Sequence, residues 1–186
     1  MLNFLYRLLL TYNSTSLMIV VFLVNEKYVI DWGIFNLKLT FIPNYISYLI
    51  FFLTPVLLTL LSLPISKRLD KDDLEKISGK SRIIEIEQAN NSFLPSYLGY
   101  FFVALSISNN ETLIFVFAIL FIFTFFSQTL YFNPLFLLFG YHFYNLTTTN
   151  KVKIFLITKK ILKAPSTINL PTLNRINNFT FIDNEK

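Results

Sequence analysis

In 186 residues the chain carries 54% hydrophobic, 18% aromatic and only 15% charged side chains, with a net charge of +5. That composition is too apolar for a disordered chain or an ordinary soluble domain and suits a lipid solvent. The absence of cysteine excludes disulfides, thiolate metal sites and thiol nucleophiles.

Phe 22 and Tyr 10 beside Gly 4 and Trp 1 indicate a codon bias towards A and T as much as a structural demand. The same bias accounts for the Asn-x-Ser/Thr triplets at Asn13, Asn90, Asn110, Asn145 and Asn178, which abundant asparagine produces by chance rather than for glycosylation.

Four apolar stretches approach the ~20 residues that a bilayer core of about 30 Å requires. They run from about Phe4 to Val24, Ile42 to Ile65, Phe93 to Ile107 and Thr112 to Phe132. The first is interrupted by the polar run Thr11 to Ser16 and no small-x-small cleavage site follows Val24, so it reads as a retained anchor and not a removed signal. The third is short, and a re-entrant hairpin of the third and fourth segments is the competing reading. Pro95 fits its first turn, where a missing N–H costs nothing.

Basic residues near the spans mark the cytoplasmic side. The connection at 66–92 carries Lys67, Arg68, Lys71, Lys76, Lys80 and Arg82. The tail at 133–186 carries Lys151, Lys153, Lys159, Lys160, Lys163, Arg175 and Lys186, while the remaining loops, about Asn25 to Phe41 and Ser108 to Glu111, hold only Lys27 and Lys38. Both termini are therefore expected inside.

Within the 66–92 connection, Asp70 as N-cap, Asp73 in the first turn and Gly79 as a left-handed stop predict a short amphipathic helix. The alternation Ile84-Glu-Ile-Glu87 predicts a strand after it. After the fourth span Asn133-Pro134 breaks the helix. Tyr141 to Thr147 and Lys151 to Thr158, joined by Thr148-Thr149-Asn150, predict a hairpin with Val152, Ile154 and Leu156 on one face and Lys151 and Lys153 on the other. A further strand is expected at Phe179 to Ile182, and Ala164 to Pro171 reads as a loop. The fold class is thus an α-helical polytopic membrane protein of about four transmembrane helices (region 1–132), with a small cytoplasmic β-rich module (133–186) that the Ile84/Ile86 strand can join.

Motifs for chemistry are sparse. Ser78-Gly79-Lys80-Ser81 copies the end of a phosphate-binding loop, but Leu74 stands where the earlier glycine belongs and no strand precedes it, so it reads as a turn. His142 lacks neighbouring ligands and belongs with Tyr141 and Phe143 in an aromatic interfacial patch. Arg7 is the one ionisable residue within the spans, which disfavours transport and intramembrane catalysis. Asn44, Tyr45, Ser47, Tyr48, Ser96, Ser106 and Gln128 suit interhelical hydrogen bonds, or in the alternative reading the wall of a channel built from several copies. Ser96, Gly99, Val103 and Ser106 form a small-residue stripe for helix packing, and Pro55 and Pro64 are candidates for kinks in the second span. No cofactor, metal or catalytic residue is indicated, and no direct nucleic-acid binding is expected. Lys67, Arg68, Lys151, Lys153, Lys159, Lys160 and Lys163 are the candidate partner-docking residues.

Tyr131-Phe-Asn-Pro134, Leu137-Leu-Phe-Gly-Tyr-His-Phe-Tyr144, the basic strand Lys151 to Lys160 and Leu173-Asn-Arg-Ile-Asn-Asn-Phe-Thr-Phe-Ile-Asp183 resemble the KwaA family, the membrane component of the Kiwa anti-phage defence system. The resemblance implies a non-enzymatic protein of the bacterial inner membrane, a homo-oligomer (tetramer), that detects phage attack at the envelope and recruits a cytosolic DNA-binding effector resembling KwaB.

Overall fold

A computed structural model of the chain describes residues 1–31, 43–74, 79–92, 94–127 and 133–185. The expectations that fall on Lys38, Ile42, Lys76, Ser78, Phe93, Gln128, Tyr131, Phe132 and Lys186 lie outside the described residues.

Helix α1 (Leu2–Asn25) packs against α2 (Asn44–Ser66), α3 (Leu94–Ser106) and α4 (Asn110–Ser127). This central position explains the polar run within it. Thr11, Asn13, Ser14, Thr15 and Ser16 are all buried, and the hydroxyls of Thr11, Ser14 and Thr15 donate to carbonyls of Arg7 and Thr11 one turn back, at 2.8, 2.9 and 2.9 Å. Such small self-satisfied side chains let neighbouring helices approach closely. The Tyr97 hydroxyl of α3 donates to the Ser14 carbonyl at 2.8 Å. Leu57 and Leu61 of α2 and Phe115 and Phe123 of α4 point outward instead, so the bundle is polar at its axis and apolar at its perimeter, the reverse of a water-soluble bundle.

Helices α1, α2 and α4 are each long and apolar enough to cross a membrane. With 13 residues, α3 is about 20 Å long, short of a 30 Å core. The predicted loop from Ser108 to Glu111 is shorter than expected. Asn109 Oδ1 accepts the Thr112 N–H at 2.8 Å as an N-cap, and Glu111 sits in the first turn of α4, where the helix dipole favours it.

The helices have two distinguishable ends. At one, Met18 and Phe22 of α1 pack with Ala104, Ile107 and Leu113, and Tyr28 bonds Asn110. At the other, Asn3 Nδ2 donates to Asp70 Oδ2 at 2.9 Å and to the Arg175 carbonyl at 3.0 Å, which places the N-terminal residues, the connection after α2 and the tail together.

At that end lies a six-stranded sheet of β1 (Lys71–Leu74), β2 (Ile83–Gln88), β3 (His142–Thr148), β4 (Lys153–Thr158), β5 (Leu170–Arg175) and β6 (Thr180–Ile182), ordered β1-β5-β6-β4-β3-β2. All neighbours are antiparallel except β4 and β6. The predicted hairpin is β3–β4, with His142 opposite Thr158 and Thr147 opposite Lys153. The strand read from Ile84 to Glu87 is β2, paired to β3.

Two predicted elements differ. The segment after Asp70 begins as strand and not helix, because Lys71 and Asp72 pair with Asn174 and Leu173 and Asp72 ion-pairs with Arg175. Partners distant in sequence override the local cap signals. The loop from Ala164 to Pro171 gives a 3-10 turn, Pro165–Thr167, and then enters β5 at Leu170. Pro171 is tolerated in β5 because the β6 pairing reaches only Asn174 and Arg175.

Both faces of β4 are covered, so the expectation of a lysine-bearing outer face is also corrected. Phe155 and Ile157 join Phe143, Ile182, Tyr6, Leu10 and Phe136 in a cluster against the helices. Ile154 and Leu156 join Leu146, Leu173, Phe181 and Ile168 in a second cluster on the far side. Lys153 sits at the strand end and Val152 is exposed. A run buried on both faces loses the alternation of a half-exposed strand.

Candidate functional site

The junction between bundle and sheet is built around Asn133. Together with Asn13 of α1 and Thr59 of α2 it is 0% exposed. Asn133 Nδ2 donates to Thr59 Oγ1 at 3.0 Å. With the Asn13 amide oriented to suit its neighbours, its Nδ2 donates to the Pro55 carbonyl at 3.1 Å, while its Oδ1 accepts from Asn133 Nδ2 at 2.8 Å and from Thr59 Oγ1 at 2.6 Å. Asn133 Oδ1 accepts the Leu135 N–H at 3.0 Å and starts the short helix α5 (Leu135–Leu138). The chain then turns back at Gly140, whose φ of +74° suits glycine; the Gly140 and Tyr141 amides close the helix on Leu137 and Phe136 carbonyls, each at 3.1 Å. Asn133 is thus held against both α1 and α2, and its buried side chain has hydrogen-bond partners on both its nitrogen and its oxygen, as a polar group among apolar helices must.

Sequence reasoning missed this triad. The signals were an asparagine in the middle of a span, a threonine in the next and Asn-Pro after the last, but nothing local joins them.

The candidate docking cations fall into separate groups. Lys151 and Lys153 stand at the hairpin end of β4, and Lys159, Lys160 and Lys163 follow its other end, about 20 Å away along the strand. Lys67 and Arg68 are exposed where α2 ends; the Lys67 carbonyl accepts from Asn174, whose Oδ1 accepts from Asn184 at 2.8 Å. The end of α2 is thus tied through Asn174 to Asn184, the neighbour of Asp183.

One member of that second group, Lys160, meets Asp183, the one buried carboxylate among the described residues. Asp183 accepts the Thr158 hydroxyl at 3.0 Å and pairs with Lys160 Nζ at 3.1 Å. Lys160 also reaches Glu185 at 3.4 Å. The Lys159 ammonium lies 4.9 Å from the centroid of the Tyr141 ring. Desolvation first, and then the negative charge of Asp183, push the Tyr141 hydroxyl above its ordinary pKa. Only Lys159 and Lys163 of this group keep exposed heads for a partner.

The small-residue stripe Ser96, Gly99, Val103 and Ser106 faces away from the rest of the chain, whereas Tyr97 and Ala104 form the buried side of α3. A Cβ at Gly99 would meet nothing within 4 Å. The polar residues considered for a channel wall do not share one face: Ser47 is buried and accepts the Ile30 N–H at 3.1 Å, while Ser96 lies outside on α3. His142 is half-buried with Nδ1 3.1 Å from Asn90 Nδ2. Arg7 places its guanidinium over the Phe125 ring at 5.0 Å and donates to the Phe125 carbonyl at 3.4 Å.

No curated protein and no solved structure matches the chain. The family model described as anti-phage protein KwaA matches residues 6–182, from α1 through the last strand of the sheet. A match over helices and sheet together assigns the chain to the KwaA family of anti-phage proteins, with the defence role that the family carries.

Proposed function

We propose that the chain is a non-enzymatic sensor and scaffold of the bacterial inner membrane, crossing it four times, with both termini in the cytoplasm and the sheet as the platform on which a cytosolic effector assembles. One observation carries this reading: the 66–92 connection and the tail, which hold most of the cations, share a single sheet at one end of the helices. Positive residues mark the cytoplasmic side, so that whole end faces inward. The connections at the opposite end are short in sequence, residues 26–43 and 107–109, which supports detection of envelope disturbance over capture of a soluble ligand. Asp183 is neutralised by Lys160 and accepts the Thr158 hydroxyl, which supports a structural role for this buried carboxylate. The outward stripe on α3 supports assembly of several copies.

Charge reversal tests the docking surface in cells that co-express a tagged DNA-binding effector of the KwaB kind. Lys159→Glu with Lys163→Glu and Lys67→Glu is expected to abolish effector co-purification while leaving membrane insertion intact. Lys151→Glu with Lys153→Glu, at the far end of β4, serves as the comparison. Undiminished recovery with both sets would defeat the recruitment reading. Gly99→Leu is expected to shift the purified particle to smaller mass, and an unchanged mass would remove α3 from the assembly interface.

A further inference from the structure

On the side of the sheet that faces the helices, the apolar part under α1 gives way to a polar part beyond it. Across β2, β3 and β4 the ladder reads Glu87–Asn145–Phe155 and Glu85–Thr147–Lys153. Above it stand Phe126 and Ser127, in the last described turn of α4, and between them is a cavity of about 840 Å³, within the range of ligand sites of about 300–1,000 Å³. Glu87 accepts from Asn145 Nδ2 at 3.3 Å and Glu85 from Thr147 Oγ1 at 3.0 Å. Among the described residues neither carboxylate nor Lys153 has an ion-pair partner, so both signs of charge face one space. Phe126 is 73% exposed at its mouth.

We propose that this cavity holds the headgroup of an ethanolamine glycerophospholipid. The inference rests on the reading that the helices lie in a bilayer, which puts the end of α4 at the level where acyl tails give way to headgroups. A primary ammonium offers three N–H donors to the lone pairs left on Glu85 and Glu87. Its phosphate, one short linker away, meets Lys153, and the upper acyl chain lies along Phe126 and Phe155. A phosphoglycerol lipid brings net negative charge to a site with two carboxylates and one lysine. A choline lipid has no N–H to give them.

The test uses the full chain in detergent, with thermal unfolding and native mass spectrometry in the presence of phosphatidylethanolamine, phosphatidylglycerol or phosphatidylcholine. Phosphatidylethanolamine is expected to raise the unfolding temperature most and to stay bound. Glu85→Gln with Glu87→Gln keeps the shapes and the bonds from Thr147 and Asn145, and is expected to weaken retention by about tenfold. Glu87→Lys is expected to turn the preference towards phosphatidylglycerol. Equal binding of the three lipids, or a double variant that retains phosphatidylethanolamine like the parent, overturns the proposal and leaves the cavity to a basic protein segment. Resistance of the parent to carbonate extraction from membranes is measured alongside. If extraction fails to release it while lipid preference is absent, only the headgroup site falls; if it is released, the bilayer reading falls too.

Discussion

Thr59 accepts the side-chain amide of Asn133 at 3.0 Å, which holds a residue beyond α4 against the middle of α2. Asn13 completes the contact from α1, so three segments remote in sequence share one buried polar centre. Removing one member strands the other two away from water.

Asn133→Leu is accordingly expected to cost about 1–2 kcal/mol, towards the upper end for a hydrogen bond between apolar helices. The readout is the unfolding temperature of the detergent-purified protein. Asn13→Leu combined with Asn133→Leu should cost less than the two separate losses added together. Strict additivity would show that the two amides do not share a network.

Lys160→Met leaves Asp183 buried with only the Thr158 hydroxyl and the Glu185 amide as partners. Because the lysine head is partly solvated, the expected loss is about 1–3 kcal/mol, below the range for a fully buried pair. Adding Asp183→Asn should recover much of it. A double variant as unstable as Lys160→Met alone would mean that the charge of Asp183 is not what Lys160 compensates.

Acid should release the sheet edge at β1. Burial acts to raise the Asp72 carboxyl, but the hydrogen bond and charge of Arg175 outweigh it and hold the pKa below its ordinary 3.8. A folded pKa below the unfolded one contributes stability above the ordinary carboxylate range, and that stability is lost as pH falls through the folded value. Hydrogen exchange of β1 amides, corrected for intrinsic rates, should therefore lose protection in acid before the β3–β4 hairpin does. Asp72→Asn should show the weaker protection already at neutral pH and remove the acid step; an acid step that survives this change must come from another group.

The absence of cysteine makes labelling from either side clean. Glu26→Cys is expected to react with an impermeant maleimide added outside spheroplasts, and Lys163→Cys only after lysis. Labelling of Lys163→Cys from outside would reverse the proposed orientation and place the sheet beyond reach of any cytosolic effector.

Parts of this architecture can be read directly from the residues. The hairpin shows because Thr148 to Asn150 separates two aromatic and β-branched runs, and β2 shows because Ile and Glu alternate. In these two elements pattern and structure agree. Strand β1 was hidden by Asp70, Asp73 and Gly79, which favour a helix until Arg175 and Leu173 supply partners from across the sheet. Strand β5 has a proline and no clean alternation in LPTLNR, so only its neighbours define it. The cations are plain in sequence, but their division between the two ends of β4 follows from pairing, as does the neutralisation of Lys160 by Asp183. The small stripe on α3 was legible as a stripe, while the side it faces depended on Tyr97 turning towards Ser14.

Strand β6 follows every other strand in chain order, yet it lies inside the sheet, parallel to β4 and antiparallel to β5. Until Ile182 has cleared the ribosome, β1 with β5 and β2 with β3 and β4 can form only as two unjoined halves. Helices α1 to α4 are synthesised well before that moment, so the helical bundle can assemble before the sheet is complete. On the proposed reading, a nascent or prematurely terminated copy would display no finished docking surface, and so could not summon the defence on its own.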